Sequence, residues 1–296
     1  MQTQLTAASL CEQAELAEQW QFDSFFLPES HFVEKAAIPD PMLLLAAVAA
    51  RTSTVQLGTT SYLLPIRNSV LAAEQVAVLD QLSEGRLILG LGRGYQRGML
   101  DAFGVSNTDK RERFGDILAG MRSAWRGEHV GASEHQQVLS PLPLQQPHPP
   151  LWVAAFGPKA ISQVGSLGLP YLASPVESLT ELQENYRRHA QALAEHEHSQ
   201  PDTIAVMRTV FVSDDAEACD AILQKLAALP PPPFQRDATP AVQDCCLIGN
   251  PQQVREQIAS YREALGMTHL IAVRPRVAGV AEKSLRDSFA ALSRLR

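Results

Sequence analysis

The 296-residue, 32.3 kDa chain is near the size of one large α/β barrel or of two medium domains. Hydrophobic residues make up 45% and charged residues only 19%, which excludes intrinsic disorder. A formal net charge of −7 excludes a global basic field able to hold a nucleic-acid backbone. The longest apolar run, Met42 to Ala50, is far too short to span a bilayer, and the N-terminal stretch lacks the basic region of a signal peptide. Cys11, Cys219, Cys245 and Cys246 show neither CxxC nor metal-ligand spacing. Together these features predict a cytosolic globular enzyme, without membrane or nucleic-acid partners.

In chain order, Ala7–Trp20 carries apolar residues at helical spacing, followed by a short strand at Ser24–Leu27. A helix over Pro41–Ala50, a β-branched strand over Val55–Thr59, a helix over Ser69–Leu82 and a strand over Leu87–Leu91 come next. Strand starts at 24, 55 and 87 lie 31 and 32 residues apart, the period of a βαβ unit with parallel strands and right-handed crossovers. Phe114, Ile117, Leu118, Met121 and Trp125 mark an amphipathic helix. The proline-rich stretch from about 127 to 150 predicts a long loop or small insertion.

Alternation resumes with strands at Leu151–Ala155 and Pro170–Ala173 and helices at Pro158–Leu167 and Ser178–His196. A strand over Ile204–Val212 and a helix over Ala216–Leu229, capped by Asp214 or Asp215, follow. A second irregular segment is expected over about 230–248. Asn250-Pro251 then opens a helix by N-cap and first-turn proline, and Gly266 ends it. The strand His269–Val273 and a helix from about Val280 complete the series. This makes seven strands where a (β/α)8 barrel needs eight, and the one lacking is the first. The expectation is a single barrel domain over 1–296.

Four strand ends carry candidate chemistry. Leu89-Gly-Leu-Gly-Arg-Gly-Tyr95 runs a buried strand into Gly90, Gly92 and Gly94, where a flat ligand could approach the backbone. Arg93 beside them can fork onto a phosphate or carboxylate. The spacing fails the GxGxxG dinucleotide fingerprint. Glu29 and His31, two residues apart after the first strand, share one side of an extended segment and suit proton handling. Thr60 and Ser61 follow the next strand with hydroxyls for a ligand edge. Lys159 sits in the first turn of a helix after a strand, where the helix N-terminus adds a second attraction for an anion. His189, His196, His198 and His135 lie in polar stretches without ligand partners, so no metal site is expected.

In order, these segments resemble the bacterial luciferase-like flavin monooxygenases. The resemblance is carried by Phe22-Asp-Ser-Phe-Phe-Leu-Pro-Glu-Ser-His-Phe32, Leu57-Gly-Thr-Thr-Ser-Tyr-Leu-Leu-Pro65, Ala73-Glu-Gln-Val-Ala-Val-Leu-Asp-Gln-Leu-Ser-Glu-Gly-Arg86 and the glycine turn at 89–95. Phe103-Gly104, Arg111-Glu-Arg-Phe114, Pro149-Pro-Leu-Trp-Val-Ala-Ala155, Gly249-Asn-Pro-Gln-Gln-Val254 and Gly266-Met-Thr-His-Leu270 continue it.

The resemblance implies an FMN-binding (β/α)8 barrel that takes reduced flavin from a separate flavin reductase and uses O2 to oxidise a small substrate. A deazaflavin-dependent oxidoreductase of the same superfamily, or a non-catalytic flavin-binding protein, are the alternatives. It further implies Gly92 under the flavin ring, Gly94 among the cofactor-binding residues, Arg93 and Arg111 near the flavin phosphate, Val153 packed on the ring, and a cis peptide at Thr60-Ser61 facing it. Two departures stand out. Ser30 occupies the position of the luciferases' catalytic histidine, in Glu29-Ser30-His31-Phe32. Ala155, Phe156 and Lys159 replace hydroxyl and carboxylate groups at the phosphate helix. Relatives dimerise through the second and third helices, whose small residues (Ala46, Ala47, Ala49, Ala50; Ala72, Ala73, Ala77) lead us to expect a homodimer.

Overall fold

The computed structural model describes residues 6–33, 37–130, 137–230 and 240–295. By contact density the chain divides into two units, one ending at Trp152 and the other beginning at Val153.

The first unit is a repeated strand–helix alternation. Helix α1 (Ala7–Gln19) leads into strand β1 (Ser24–Leu27), and helix α2 (Pro41–Ala49) into β2 (Gln56–Thr59). A two-residue strand β3 (Tyr62–Leu63), missed in the sequence, precedes helix α3 (Ser69–Leu82) and strand β4 (Leu87–Gly92). Asp40 caps α2 by accepting from Leu43 N at 3.0 Å, and Asn68 caps α3 by accepting from Val70 N and Leu71 N. β1 and β2 pair in parallel from Ser24↔Gln56 to Leu27↔Thr59, β2 pairs β4 at Leu57↔Leu87, and β3 pairs β4 at Tyr62↔Leu91. All six residues of β4 are buried, as expected of a parallel strand covered on both faces. Gly58 is needed for packing, since a Cβ there would lie 2.1 Å from the Phe26 ring, which stacks on Trp152 at 5.6 Å.

A short helix α4 (Arg97–Ala102) and the longer α5 (Lys110–Trp125) follow β4. Phe114, Ile117, Leu118, Met121 and Trp125 are buried, so the predicted amphipathic face of α5 faces inward, and Trp125 Nε1 donates to Ala73 O at 3.1 Å. The end of the proline-rich stretch is tied down rather than loose. Buried Asp80 accepts from Gln145 N and Nε2 at 2.8 and 2.7 Å.

Strand β5 (Leu151–Ala154) runs across the boundary into the second unit, which holds strands β6 (Tyr171–Ala173) and β7 (Ala205–Val212), with helices α6 (Pro158–Ser166), α7 (Leu179–Glu195) and α8 (Ala216–Ala227) between and after the three. Ser178 closes a capping box with Glu181 at the start of α7, and Asp215 caps α8. The segment expected to be irregular over 230–248 ends instead in a short helix α9 (Val242–Cys245) and a buried strand β8 (Cys246–Gly249). Four residues behind a proline-rich stretch show no periodicity; their pairing with Thr209–Val212 of β7 is what makes them a strand. Helix α10 (Pro251–Leu265) has the expected Asn250 cap and a left-handed Gly266 at φ 68°. Strand β9 (His269–Val273) pairs with the first part of β7, and α11 (Glu282–Leu292) packs on β7. Among the described residues there are thus nine strands, and none precedes Ser24.

Candidate functional site

The loop after β1 carries the best-organised polar cluster of the first unit. Glu29 is buried and its carboxylate collects three donors. Oε2 accepts from Leu63 N at 2.9 Å, while Oε1 meets Arg67 Nη2 at 2.5 Å and His31 Nε2 at 2.8 Å. Burial pushes the Glu29 carboxyl above its ordinary range, and the Arg67 charge is the strongest influence opposing it. His31 is itself buried and meets the Phe103 ring edge-on at 4.9 Å. Neighbouring Ser30 has another job: its N donates to Ile38 O and its Oγ accepts from Ile38 N at 3.0 Å, closing the loop. The Ser30 side chain is therefore spent on backbone.

The Thr60-Ser61 peptide is cis. A Cβ on Gly92 would lie 2.0 Å from Ser61 Oγ, so the room left by this glycine is filled by the Ser61 side chain. Gly92→Ala is expected to displace the Ser61 side chain and lower the melting temperature by roughly 2–5 °C, the shift that about 1–3 kcal/mol of overpacking produces in a chain of this size. Differential scanning fluorimetry checks this.

The turn after β4 gathers positive charge. Arg93 is half-buried beneath α5, its guanidinium 5.7 Å from the Phe114 ring centroid. Burial first, and then the charge of Arg111, lowers its pKa to about 10. Lys110 Nζ donates to Gly94 O at 3.0 Å, and burial followed by Arg93, Arg111 and Arg97 pushes its ammonium pKa down. Gly94 turns the chain at φ 71°. Arg93 and Arg111, 18 positions apart in the sequence, thus do lie within reach of each other's charge. Arg113, from the same helix start, is a structural link: its Nε donates to Pro65 O at 3.0 Å.

Val153 and Lys159 belong to the second unit. Val153 is buried in β5, its N bonded to Pro170 O at 2.9 Å. Lys159 is exposed in the first turn of α6, whose N-cap, Gly157 at φ 81°, offers no side-chain cap. This unit also holds a buried network that sequence reasoning missed. Glu177 accepts from Tyr171 OH at 2.8 Å, Ser174 N at 2.7 Å and Asn185 Nδ2 at 2.6 Å, while Arg208 Nη2 donates to its backbone O. Burial raises Glu177 to about 7 against these bonds. A carboxyl whose folded pKa lies above its unfolded value stabilises fully below about pH 4.5, and that contribution is lost as the pH rises through 7. Wild type is expected to lose about 3 kcal/mol relative to Glu177→Gln between pH 4.5 and 8. Urea unfolding of both proteins across this range measures it.

Among the described residues no group of three or more His, Cys, Asp or Glu could hold a metal ion; His135 lies outside them. The four cysteines are free and buried. Arg67 and Lys110 were not singled out in the sequence, since their contacts with Glu29 and Gly94 span 38 and 16 residues.

The family model described as luciferase-like monooxygenase matches residues 1–269. The chain belongs to this family of flavin-dependent enzymes, and with it to the oxidoreductases that incorporate molecular oxygen. It is similar to an uncharacterised protein, y4wF, of Sinorhizobium fredii (27% identity over 87% of this chain and 82% of the relative). It is also similar to the oxygenase component of the flavin-dependent trigonelline monooxygenase of Acinetobacter baylyi (27% identity over 70% of this chain), of whose length it spans 60%.

Among solved structures, monooxygenase RslO1 of Streptomyces bottropensis superposes with a TM-score of 0.81 at 23% identity, over 98% of this chain and 94% of that one. The oxygenating constituent of 3,6-diketocamphane monooxygenase of Pseudomonas putida, in complex with FMN, gives 0.79 at 20% identity over 97% and 91%. An F420-dependent secondary alcohol dehydrogenase gives 0.80 at 18% identity over 97% and 94%. The fold is that of the luciferase-type (β/α)8 barrel.

Proposed function

We propose that this protein is an FMN-dependent monooxygenase, one barrel domain working in the cytosol, that takes reduced flavin from a separate reductase and acts on a small organic substrate. The observation that carries the reading is the crowding of Arg93, Lys110, Arg111 and Arg97 at the turn after β4. The pKa values of Arg93 and Lys110 are depressed first by burial and then by like charges, and a flavin phosphate of nearly two negative charges would relieve that repulsion. Thr60, Ser61, Gly92, Arg93, Gly94 and Arg111 are the residues we assign to FMN, with Val153 and Lys159 as further positions to be tested by substitution. Bound reduced flavin supplies the electrons with which O2 is activated.

The chain's own residues position, shield and move protons. Arg93 and Arg111 anchor the phosphate. Phe103 covers one edge of His31 and keeps water from it. Ionised Glu29 can only accept, so it holds a proton on His31 Nε2 and leaves Nδ1 as the atom that takes or gives one.

A deazaflavin-dependent oxidoreductase is the second reading, favoured by the fold's likeness to the F420-dependent dehydrogenase. Fluorescence titration of the purified protein with FMN and with deazaflavin separates the two. Tight FMN binding is expected; binding of deazaflavin alone would overturn the first reading.

We also propose a homodimer through α2 and α3. Ala49, Ala72, Ala73 and Ala77 are buried within the chain's own fold, so they are not the contact face. Leu43, Leu71, Val78 and Leu82 are, by contrast, 71, 54, 44 and 57% exposed, an apolar stripe that calls for a partner. Light scattering should give a dimer mass for wild type and a monomer mass for Leu71→Asp combined with Val78→Asp.

A further inference from the structure

We infer that Arg67, acting through Glu29, fixes which ring nitrogen of His31 carries the proton, and is a positioning residue of this site. The inference rests on the proposed role of Glu29 and His31. Its geometry is independent of any ligand. The Arg67 guanidinium lies 4.5 Å from the Tyr62 ring centroid and reaches Glu29 Oε1, the same oxygen that meets His31 Nε2. The other oxygen is taken by Leu63 N, so backbone alone already places the carboxyl group. What Arg67 adds is charge. The Glu29 side chain has no exposed surface, and a carboxyl group so placed tends to stay protonated unless a cation stands against it.

Among the described residues, Arg67 is the permanent cation that bears on the Glu29 carboxyl, beside His31 itself. Tyr62 is pushed up to about 12 by burial and stays a neutral phenol whose OH donates to Gln75 Oε1; Asp40, which also bears on Tyr62, is an acid. The chemistry of the pair then turns on Arg67. With Glu29 ionised, the carboxylate accepts only, and His31 must donate from Nε2, leaving the Nδ1 lone pair available. With Glu29 protonated, its O–H donates to Nε2, and the imidazole proton moves to Nδ1. The site keeps its shape and loses its base at that atom.

The tautomer can be read directly by NMR of protein labelled with 15N-histidine, the His31 signals being assigned with His31→Asn. At pH 7.5, wild type and Arg67→Lys should hold the His31 proton on Nε2. Arg67→Met should shift the Nε2-to-Nδ1 ratio at least tenfold toward Nδ1, with circular dichroism confirming the fold. Arg67→Gln serves the same purpose where the methionine variant does not fold. An unchanged ratio in either folded variant, or a wild type already protonated at Nδ1, overturns the inference. A ratio that moves as expected while His31→Asn reoxidises bound reduced FMN with the wild-type time course leaves the role of Arg67 standing and removes the proposed role of His31 instead.

Discussion

Replacing Arg93 or Arg111 with alanine is expected to weaken FMN binding about tenfold to a hundredfold, or roughly 1.5–3 kcal/mol. The magnitude follows from the loss of a planar fork of donors to a doubly charged phosphate, which water replaces poorly at half-buried Arg93 and better at exposed Arg111, so the larger loss is expected for Arg93. Two opposing effects set it. Removing one cation also relieves its repulsion of the other, since Arg111 already lowers the pKa of Arg93. That relief strengthens the remaining arginine slightly in the free protein and makes the loss on binding smaller than two independent contacts would give. Riboflavin, which lacks the phosphate, should bind weakly to wild type and almost equally to both variants. Fluorescence-quenching titrations with the two flavins measure all six constants. Retention of wild-type FMN affinity by both variants would move the phosphate away from this turn, and Lys159 with the start of α6 would be the next position to test.

Arg86→Met is expected to cost about 3 kcal/mol or more of stability without touching any ligand residue. Its guanidinium donates five hydrogen bonds, to Ser83 O, Thr52 Oγ1, Val55 O, Ala49 O and Thr52 O, at 2.8 to 3.2 Å. These acceptors lie at the ends of α2 and α3 and at the approach to β2, so one side chain closes two crossovers. Methionine would fill much of the volume and leave the carbonyls unmatched. Lysine, a point charge, would recover only part. Urea denaturation followed by far-ultraviolet circular dichroism checks this, and an unchanged midpoint would show that water replaces the arginine at little cost.

What could be read in the sequence follows how local each signal is. The α10 helix was legible from end to end because Asn250, Pro251 and Gly266 act within a turn of where they stand. β4 was legible because burial on both faces makes an unbroken apolar run. β3 and β8 were not, because two and four residues carry no period and exist through their partners Leu91–Gly92 and Thr209–Val212. At the candidate site, residue types were legible and their reasons only partly so. The glycine at 92 reads in the sequence as space for a ligand, whereas its missing side chain is occupied by Ser61. Glu29 and His31 could be paired from their spacing, but the cation beside them comes from a different crossover. No pattern in the sequence ties Arg67 to Glu29. The Glu177 network was invisible for the same reason, being assembled from β6, α7 and β7.

The central claim, that this chain binds reduced FMN and directs its reaction with oxygen, is tested most directly by stopped-flow mixing. Reduced FMN, alone and with excess protein, is mixed anaerobically and then exposed to O2 while flavin absorbance is followed. The account predicts a separate, slower reoxidation phase whose amplitude tracks bound flavin and shrinks in Arg93→Ala. Reoxidation with one and the same time course in the presence and absence of protein, at concentrations where FMN is bound, would contradict it.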